Sequence, residues 1–460
     1  MFKNEKISFR LIGGENEIGS NCYYLDIHGT GIILDAGLHP EKKGLEALPN
    51  FELLENQNTD YVIISHSHID HIGSLPYLIQ RYPHLKIYTT PQSRDIAEVM
   101  LHNSLYISNK EIIDGDPLPH YTHEQLDLLT ETINVVKFNE YNELIGYRHL
   151  RNEQINLKFL DSGHILGSAG ILLETSSIRI FYTGDTCASK QTIMAGAEYP
   201  EKPIDAMIME TTTAASGIIT KRSDEIKRFA KSINKIVDAG GSILIPVFAL
   251  GKQQEILALL HNLIKKGSIP ELDIYTGGLG NEISDIYDSH RYTSRRTNNK
   301  LKLKEIPQLK LDYENLLNDK YFKVPSIVLA PSGMVFDGTP SFILAQRWLK
   351  QKNFAIFFVG YLDPDSPGFK ILHSKKNEVI KLTESAEEIK VMCEVDYFRF
   401  SSHSNREELI NLVKITKPKI LILVHGEPDG MIWIQTKVQE KLPNTKVIIP
   451  KLGEEYKISD

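Results

Sequence analysis

A chain of 460 residues is long enough for two or three domains, and 41% hydrophobic against 24% charged residues describes an ordinary folded protein. The formal net charge of −7 argues against a surface that is basic throughout, though it is compatible with one basic channel. No apolar stretch approaches membrane-spanning length, and Met1–Lys6 lacks a signal peptide's apolar core. Cys22, Cys187 and Cys393 are too scattered for a disulfide framework or a cysteine-ligated metal, so no membrane and a reducing, cytoplasmic setting are expected.

The first part reads as short strands and turns. Ile7–Ile12 precedes the glycine-rich turn Gly13–Gly19, followed by Cys22–Ile27 and by Gly31–Leu34, which ends at Asp35-Ala36-Gly37. The turn has neither a dinucleotide fingerprint nor a P-loop lysine, so a tight hairpin is its expected use. Asp35 is either a turn aspartate or a group that orients a metal-bound histidine. Tyr61–Ile64 is a buried strand running directly into His66-Ser67-His68-Ile69-Asp70-His71. Alternation puts His66 and His68 on one side of an extended segment, where two imidazoles can meet one cation. Asp70 and His71 turn away, toward a second cation nearby. Four metal-capable side chains in six residues after an apolar strand point to a metal site over a polar turn. Helices are predicted over Ser74–Tyr82 and Gln92–Ser108.

Further on, Asn156–Leu160 leads into a loop with Gly163-His164, Ile178–Tyr182 leads to Gly184-Asp185, and Ile204–Met209 ends on Glu210. Chemistry at the C-terminal ends of strands is the pattern of a scaffold sheet that presents its loops at one edge. From Thr211 the pattern changes. Ser242–Ala249, Asp273–Gly278, Ser326–Met334 and Phe354–Gly360 are apolar strands alternating with helices such as Gly251–Lys266, the signature of a parallel, doubly wound α/β sheet. Residues 211–392 therefore read as an inserted domain between 1–210 and 393–460. Lys419–Val424 then ends on His425-Gly426-Glu427, back in the pattern of the first part.

Two cations held side by side need about three or four ligands each and a bridging group. A histidine and aspartate donor set suits zinc best, with manganese or iron as alternatives. Paired cations lower the pKa of a bridging water to give a hydroxide near neutral pH and stabilise charge on a substrate oxygen, chemistry that serves phosphodiesters, amides, thioesters and lactones alike.

The order H-x-H-x-D-H, Gly163-His164, Gly184-Asp185 is similar to the first four motifs of the metallo-β-lactamase superfamily, which contains many two-zinc hydrolases. An α/β insertion between the fourth motif and a late histidine resembles the β-CASP nucleases. Met209-Glu210-Thr211-Thr212 resembles their motif A, Phe400-Ser401-Ser402-His403-Ser404 motif B, and Leu423-Val424-His425-Gly426-Glu427 motif C. Ile245–Glu255 and Ala330-Pro331-Ser332-Gly333-Met334 also look like family stretches, so the resemblance covers nearly the whole chain. It implies an αββα sandwich with an inserted, doubly wound, parallel-sheet β-CASP domain. It also implies that His66, His68 and His164 hold one zinc, that Asp70, His71 and His425 hold a second, and that Asp185 bridges.

Catalysis would rest on Asp70, Glu210 and His403, the last two paired, with His403 donating a proton to the leaving oxygen. The histidine at motif C is similar to RNA-type members, whereas DNA-repair members carry an aliphatic residue there. The layout is similar to the endonuclease subunit of the pre-mRNA cleavage-and-polyadenylation factor and its short bacterial relatives, which implies a homodimer. Three departures stand out: Thr212-Thr213-Ala214 where the family has Tyr-Gly, Asn405 in place of an acid after His403, and the acidic Tyr361–Asp365.

For nucleic acid, Arg291–Lys304 carries six basic residues and no acid, a run that could track a single-stranded phosphate backbone or form a solvated loop. Ser332 and Gly333 could offer a hydroxyl and a backbone amide to a phosphate. The expectation is a zinc-dependent ribonuclease hydrolysing single-stranded RNA. The alternatives are a DNA nuclease, an ester or lactone hydrolase on the same fold, and a non-catalytic scaffold subunit.

Overall fold

The computed structural model describes residues 7–111, 121–147, 154–316, 322 and 324–459. The chain divides into two compact units, one made of 1–190, 194–218 and 402–460, the other of 191–193 and 219–401.

The first unit is built on two seven-stranded sheets. One runs in the order Glu455–Ser459, Ile7–Gly13, Cys22–Ile27, Thr30–Leu34, Tyr61–Ile63, Lys86–Thr89, Asn134–Val135. The other runs Lys446–Ile448, Ile420–Val424, Ala206–Glu210, Arg179–Tyr182, Ala169–Glu174, Ile155–Asp161, Tyr141–Leu144. Strand alternation sorts the side chains into layers. Tyr23, Leu25 and Ile27 of one sheet join Phe159, Ile171, Ile180, Ile208 and Ile422 of the other in a core between the sheets. Cys22 and Tyr24 point the other way, into a core shared with Leu75, Leu78, Ala97 and Leu101 of the helices Leu75–Arg81 and Pro91–Glu111. On the far side Met207, Met209, Leu421 and Leu423 pack against Leu409, Val413, Ile434 and Val438 of the helices Arg406–Thr416 and Pro428–Lys441. The result is the expected αββα sandwich.

Register brings the strand ends together. Ala206–Glu210 pairs in parallel with Arg179–Tyr182 on one side and with Ile420–Val424 on the other, Glu210 opposite Val424. In the first sheet Leu34 lies opposite Ile63, again in parallel. The loops that leave these strands, with Asp35, Ser65, Asp185, Thr211 and His425, therefore start from the C-terminal edges of parallel strands.

The second unit is a six-stranded parallel sheet in the order Leu309–Lys310, Asp273–Thr276, Ser326–Ala330, Ile243–Pro246, Ala355–Phe358, Glu394–Tyr397. Leu244, Val328 and Phe358 meet Phe342, Leu344 and Trp348 of the helix Pro340–Trp348 on one face. On the other, Phe357 meets Phe229 of the helix Arg222–Asp238, ring centres 6.2 Å apart. Helices on both faces make the sheet doubly wound, as its apolar strands predict. One strand escapes the sequence pattern: Glu394–Tyr397, expected in the last segment of the sandwich, closes the insert's sheet beside Ala355–Phe358. It is a half-exposed edge strand of mixed polarity, so it carries no continuous apolar run to mark it.

Candidate metal centre

The cluster His66–His71 is shaped by its local backbone. After the strand Tyr61–Ile63 the chain bends at Ser65, is extended at His68 (φ −68°, ψ 148°), then turns into the short helix Ile69–Ile72 that carries Asp70 and His71. His66 and His68 thus share one side and Asp70 and His71 another. Two segments hold this turn: Asn21, just before the strand Cys22–Ile27, donates its amide to Asp70 O (3.0 Å), and Ala36, in the loop after Asp35, donates its amide to His71 O (2.8 Å). Gly37 must be glycine here, because a Cβ would lie 1.7 Å from Asp70 O.

The structure brings all seven predicted ligand residues together in two groups. In the first, Nε2 of His66 and Nε2 of His164 lie 3.0 and 3.2 Å from Nδ1 of His68, and 3.5 and 3.6 Å from Oδ2 of Asp185. In the second, Oδ2 of Asp70 lies 3.5 Å from Nε2 of His71 and 3.2 Å from Nε2 of His425. The other oxygen of Asp185, Oδ1, faces this second group, 3.4 Å from His71 Nε2 and 2.8 Å from His425 Nδ1. One carboxylate thus offers one oxygen to each group.

These separations fit a cation better than hydrogen bonds. Ligands at about 2.0–2.1 Å from a tetrahedral zinc stand about 3.3 Å apart, and the edges just given scatter around that length. Asp185 Oδ1 and His425 Nε2 are buried, and their close polar neighbours belong to the ligand group itself, with no well-aligned hydrogen bond among them, which for groups of this polarity leaves room for a shared cation.

Electrostatics agree with the donor chemistry. Burial, reinforced by neighbouring imidazoles, holds His66 and His164 well below the ordinary histidine value, in the neutral form that ligates. At His71 and His425 burial opposes protonation, but Asp185 and Asp70 outweigh it; His71 is raised, and His425 is drawn up to about 10. A cation's charge takes the place of such protons when it binds. Asp70 and Asp185 are held below the usual carboxylate range: burial works against ionisation, and the facing His71 and His425 overcome it.

Asp35 sits behind the second group, fully buried and in left-handed backbone (φ 61°). Its Oδ2 lies 2.8 Å from Nδ1 of His71 and accepts from Ser65 Oγ (2.8 Å) and Tyr182 OH (2.7 Å), while Oδ1 accepts from Ser65 N (2.6 Å). Three participants have no signal in the sequence: Ser65, Tyr182 and Asn21. Asn21 Nδ2 donates to Asp70 O (3.0 Å) and lies 3.1 Å from His71 Nε2, and its Oδ1 accepts from Tyr23 OH (2.6 Å). Each reads as an ordinary strand or turn residue.

Glu210 and His403 meet beside the first group. His403 Nδ1 lies 3.1 Å from both oxygens of Glu210, whose Oε1 also accepts from Thr186 N (2.7 Å) and Oε2 from Thr212 N (3.3 Å). The His403 ring lies 4.4 Å from that of His164, and its side chain is 19% exposed, so one edge reaches outward. Asn405 does not touch this pair through its side chain oxygen; it caps the helix Arg406–Thr416, accepting from Glu407 N and Glu408 N.

Ser332 and Gly333 belong to the second unit. Ser332 Oγ accepts from Phe336 N (3.3 Å), and a Cβ on Gly333 would come within 3.1 Å of the Phe248 ring, so close packing accounts for that glycine. In the basic run, Arg296 is buried and donates to Tyr287 O and Leu301 O, while Lys302 pairs with Glu305. Part of that run therefore holds the loop itself.

Comparison with known proteins finds family matches in both units. The family model described as the metallo-beta-lactamase superfamily matches residues 16–125, the Beta-Casp domain matches 253–371, and a domain described as a Zn-dependent metallo-hydrolase RNA specificity domain matches 388–450. Cleavage and polyadenylation specificity factor 73 of Drosophila melanogaster is 29% identical over 450 residues, 95% of this chain and 62% of its own length. Endoribonuclease YSH1 of Kluyveromyces lactis is 26% identical over 448 residues, 93% of this chain and 56% of its own. The chain thus spans about three fifths of the length of the relatives it matches. A crystal structure of a protein of unknown function from Enterococcus faecalis V583 shares the fold, with a TM-score of 0.57 at 14% identity, covering 98% of this chain and 100% of that one.

Proposed function

The chain belongs to the metallo-β-lactamase superfamily and carries its inserted Beta-Casp domain, and on that footing we propose that it is a metal-dependent ribonuclease acting on single-stranded RNA. The observation that carries the reading is the Glu210–His403 pair set beside two ligand groups that share the Asp185 carboxylate. When bound, two divalent cations supply a nucleophile by lowering the pKa of water and neutralise charge that grows on a phosphate. The donor set of histidine and aspartate favours zinc, one ion per group.

The chain's own residues do the rest. His68, His71 and their partners fix where a phosphate can sit. A nucleotide oxygen leaves a phosphodiester poorly without a proton, and His403 is placed to give one. Burial disfavours its charged form, but the carboxylate of Glu210 wins and raises its pKa above the ordinary imidazole value, which favours the form that carries the proton. Glu210 is held for that task by the amides of Thr186 and Thr212. The match of 388–450 to an RNA specificity domain and the name endoribonuclease borne by several relatives support RNA cut internally. The proposal includes a homodimer, which sedimentation would read, and a cytoplasmic setting, with which three buried cysteine thiols are in keeping.

The test is cleavage of end-labelled single-stranded RNA and DNA side by side by metal-loaded protein, with H68A as control. Internal RNA fragments that H68A does not produce are expected. RNA left intact, or cut equally by H68A, overturns the reading.

A further inference from the structure

His403 lies between two residues whose backbones are tied down. Before it, the carbonyl of Ser402 accepts from Nδ1 of His164 at 2.8 Å. After it, the amide of Ser404 donates to Thr186 O at 2.6 Å, its hydroxyl accepts from Ala188 N at 2.9 Å, and its carbonyl accepts from Thr213 Oγ1 at 2.5 Å. Thr186 in turn donates its amide to Glu210. Three hydrogen bonds thus link Glu210 to Thr186, Thr186 to Ser404 and Ser404 to Thr213, and the backbone from Glu210 to Thr213 closes the ring around the pair. Thr213 alone in that ring brings a side chain from the segment that directly continues the Glu210 strand. It links the piece of chain that holds the carboxylate to the piece that holds the imidazole.

The side chain of Asn405 is committed to its helix cap, so the loop after His403 takes its position from the Ser404 contacts. Ser404 is buried, and a valine at 213 would leave its carbonyl without that donor, which costs free energy even though the shape is kept. We propose that Thr213 is the positioning residue of the Glu210–His403 pair, setting the reach between carboxylate and imidazole through the carbonyl of Ser404. Its kinetic consequence rests on the ribonuclease reading; its geometric consequence does not.

The experiment compares wild type, T213V and T213S as full-length, metal-loaded protein in two measurements. In RNA cleavage, T213V lowers kcat about tenfold with KM within about twofold, and T213S, which keeps the hydroxyl, returns to the wild-type rate. In the imidazole nitrogen resonances of His403, identified by their loss in H403Q, T213V shifts or broadens the signals while T213S leaves them in place. Metal content and thermal midpoint serve as folding controls. Unmoved His403 resonances in T213V, or equal defects in T213V and T213S, overturn the proposal. RNA left intact by the wild type would instead sink the ribonuclease reading, and the resonances would still decide the role of Thr213.

Discussion

Nδ1 of His71 stands 2.8 Å from Oδ2 of Asp35, and the two side chains are wholly buried. The contact spans two parallel strands, since Asp35 follows Leu34 and His71 lies on the turn that follows the strand of Ile63. With Nδ1 donating to the carboxylate, Nε2 of His71 is left as the ligand atom, facing Asp70 and Asp185. D35N keeps the shape but weakens the acceptor. A loss of metal affinity of about 10- to 100-fold is expected, read by chelator competition. An affinity equal to wild type would mean that Asp35 serves the fold alone, through Ser65 and Tyr182.

Asp185 predicts how the two groups fail. Its Oδ2 faces His66 and His164, and its Oδ1 faces His71 and His425. D185A removes an oxygen from both groups, whereas H425A removes a ligand from the second alone. Metal analysis after dialysis should show H425A retaining one tightly bound ion per chain and D185A retaining none. Equal retention in the two variants would contradict a bridging carboxylate.

The Glu210–His403 pair gives a pH signature. His403 is a cationic acid, so its proton is present below its raised pKa and is lost as pH rises through it. Cleavage should therefore fall on the alkaline side of the ordinary imidazole value. E210Q removes the charge that raises this pKa, so the falling limb moves to lower pH and the rate at neutral pH drops by about 10²-fold. An alkaline limb that stays put in E210Q would assign it to another group.

Much of the centre is legible in the sequence because its ligands announce themselves. His66–His71, Asp185 and His425 each follow an apolar strand, and parallel pairing of such strands brings their ends to one edge. What supports the ligands is not legible. Asn21, Tyr23 and Tyr182 act through inward-facing polar tips on residues that look like ordinary strand positions, and only the register between distant strands puts Tyr182 OH on Asp35. The edge strand Glu394–Tyr397 lacks the continuous apolar run that reveals a central strand. Arg296 illustrates the reverse case, where a residue in a basic run reads as a solvated charge yet is buried near Asp288. Charge patterns report composition, and burial depends on what folds over them.

Glu255 supports the last prediction. It lies in the stretch Ile245–Glu255, where the sequence shows a resemblance but no task for this acid. In the second unit its buried carboxylate accepts from the amides of Thr192 (2.7 Å) and Ile193 (3.0 Å) and pairs with Arg222. The segment 191–193 joins this unit while the residues on either side of it belong to the first. Two backbone donors and one guanidinium thus converge on one acceptor, and Thr297 N adds a bond to Ile193 O at 2.8 Å. E255A leaves both amides without that acceptor, at a cost of about 1–3 kcal/mol. The amide protons of Thr192 and Ile193 should then exchange at least about tenfold faster, while amides in the strand Ile243–Pro246 keep their protection. Exchange at Thr192 and Ile193 as slow as in wild type would show that other contacts hold the segment and that Glu255 is dispensable to it.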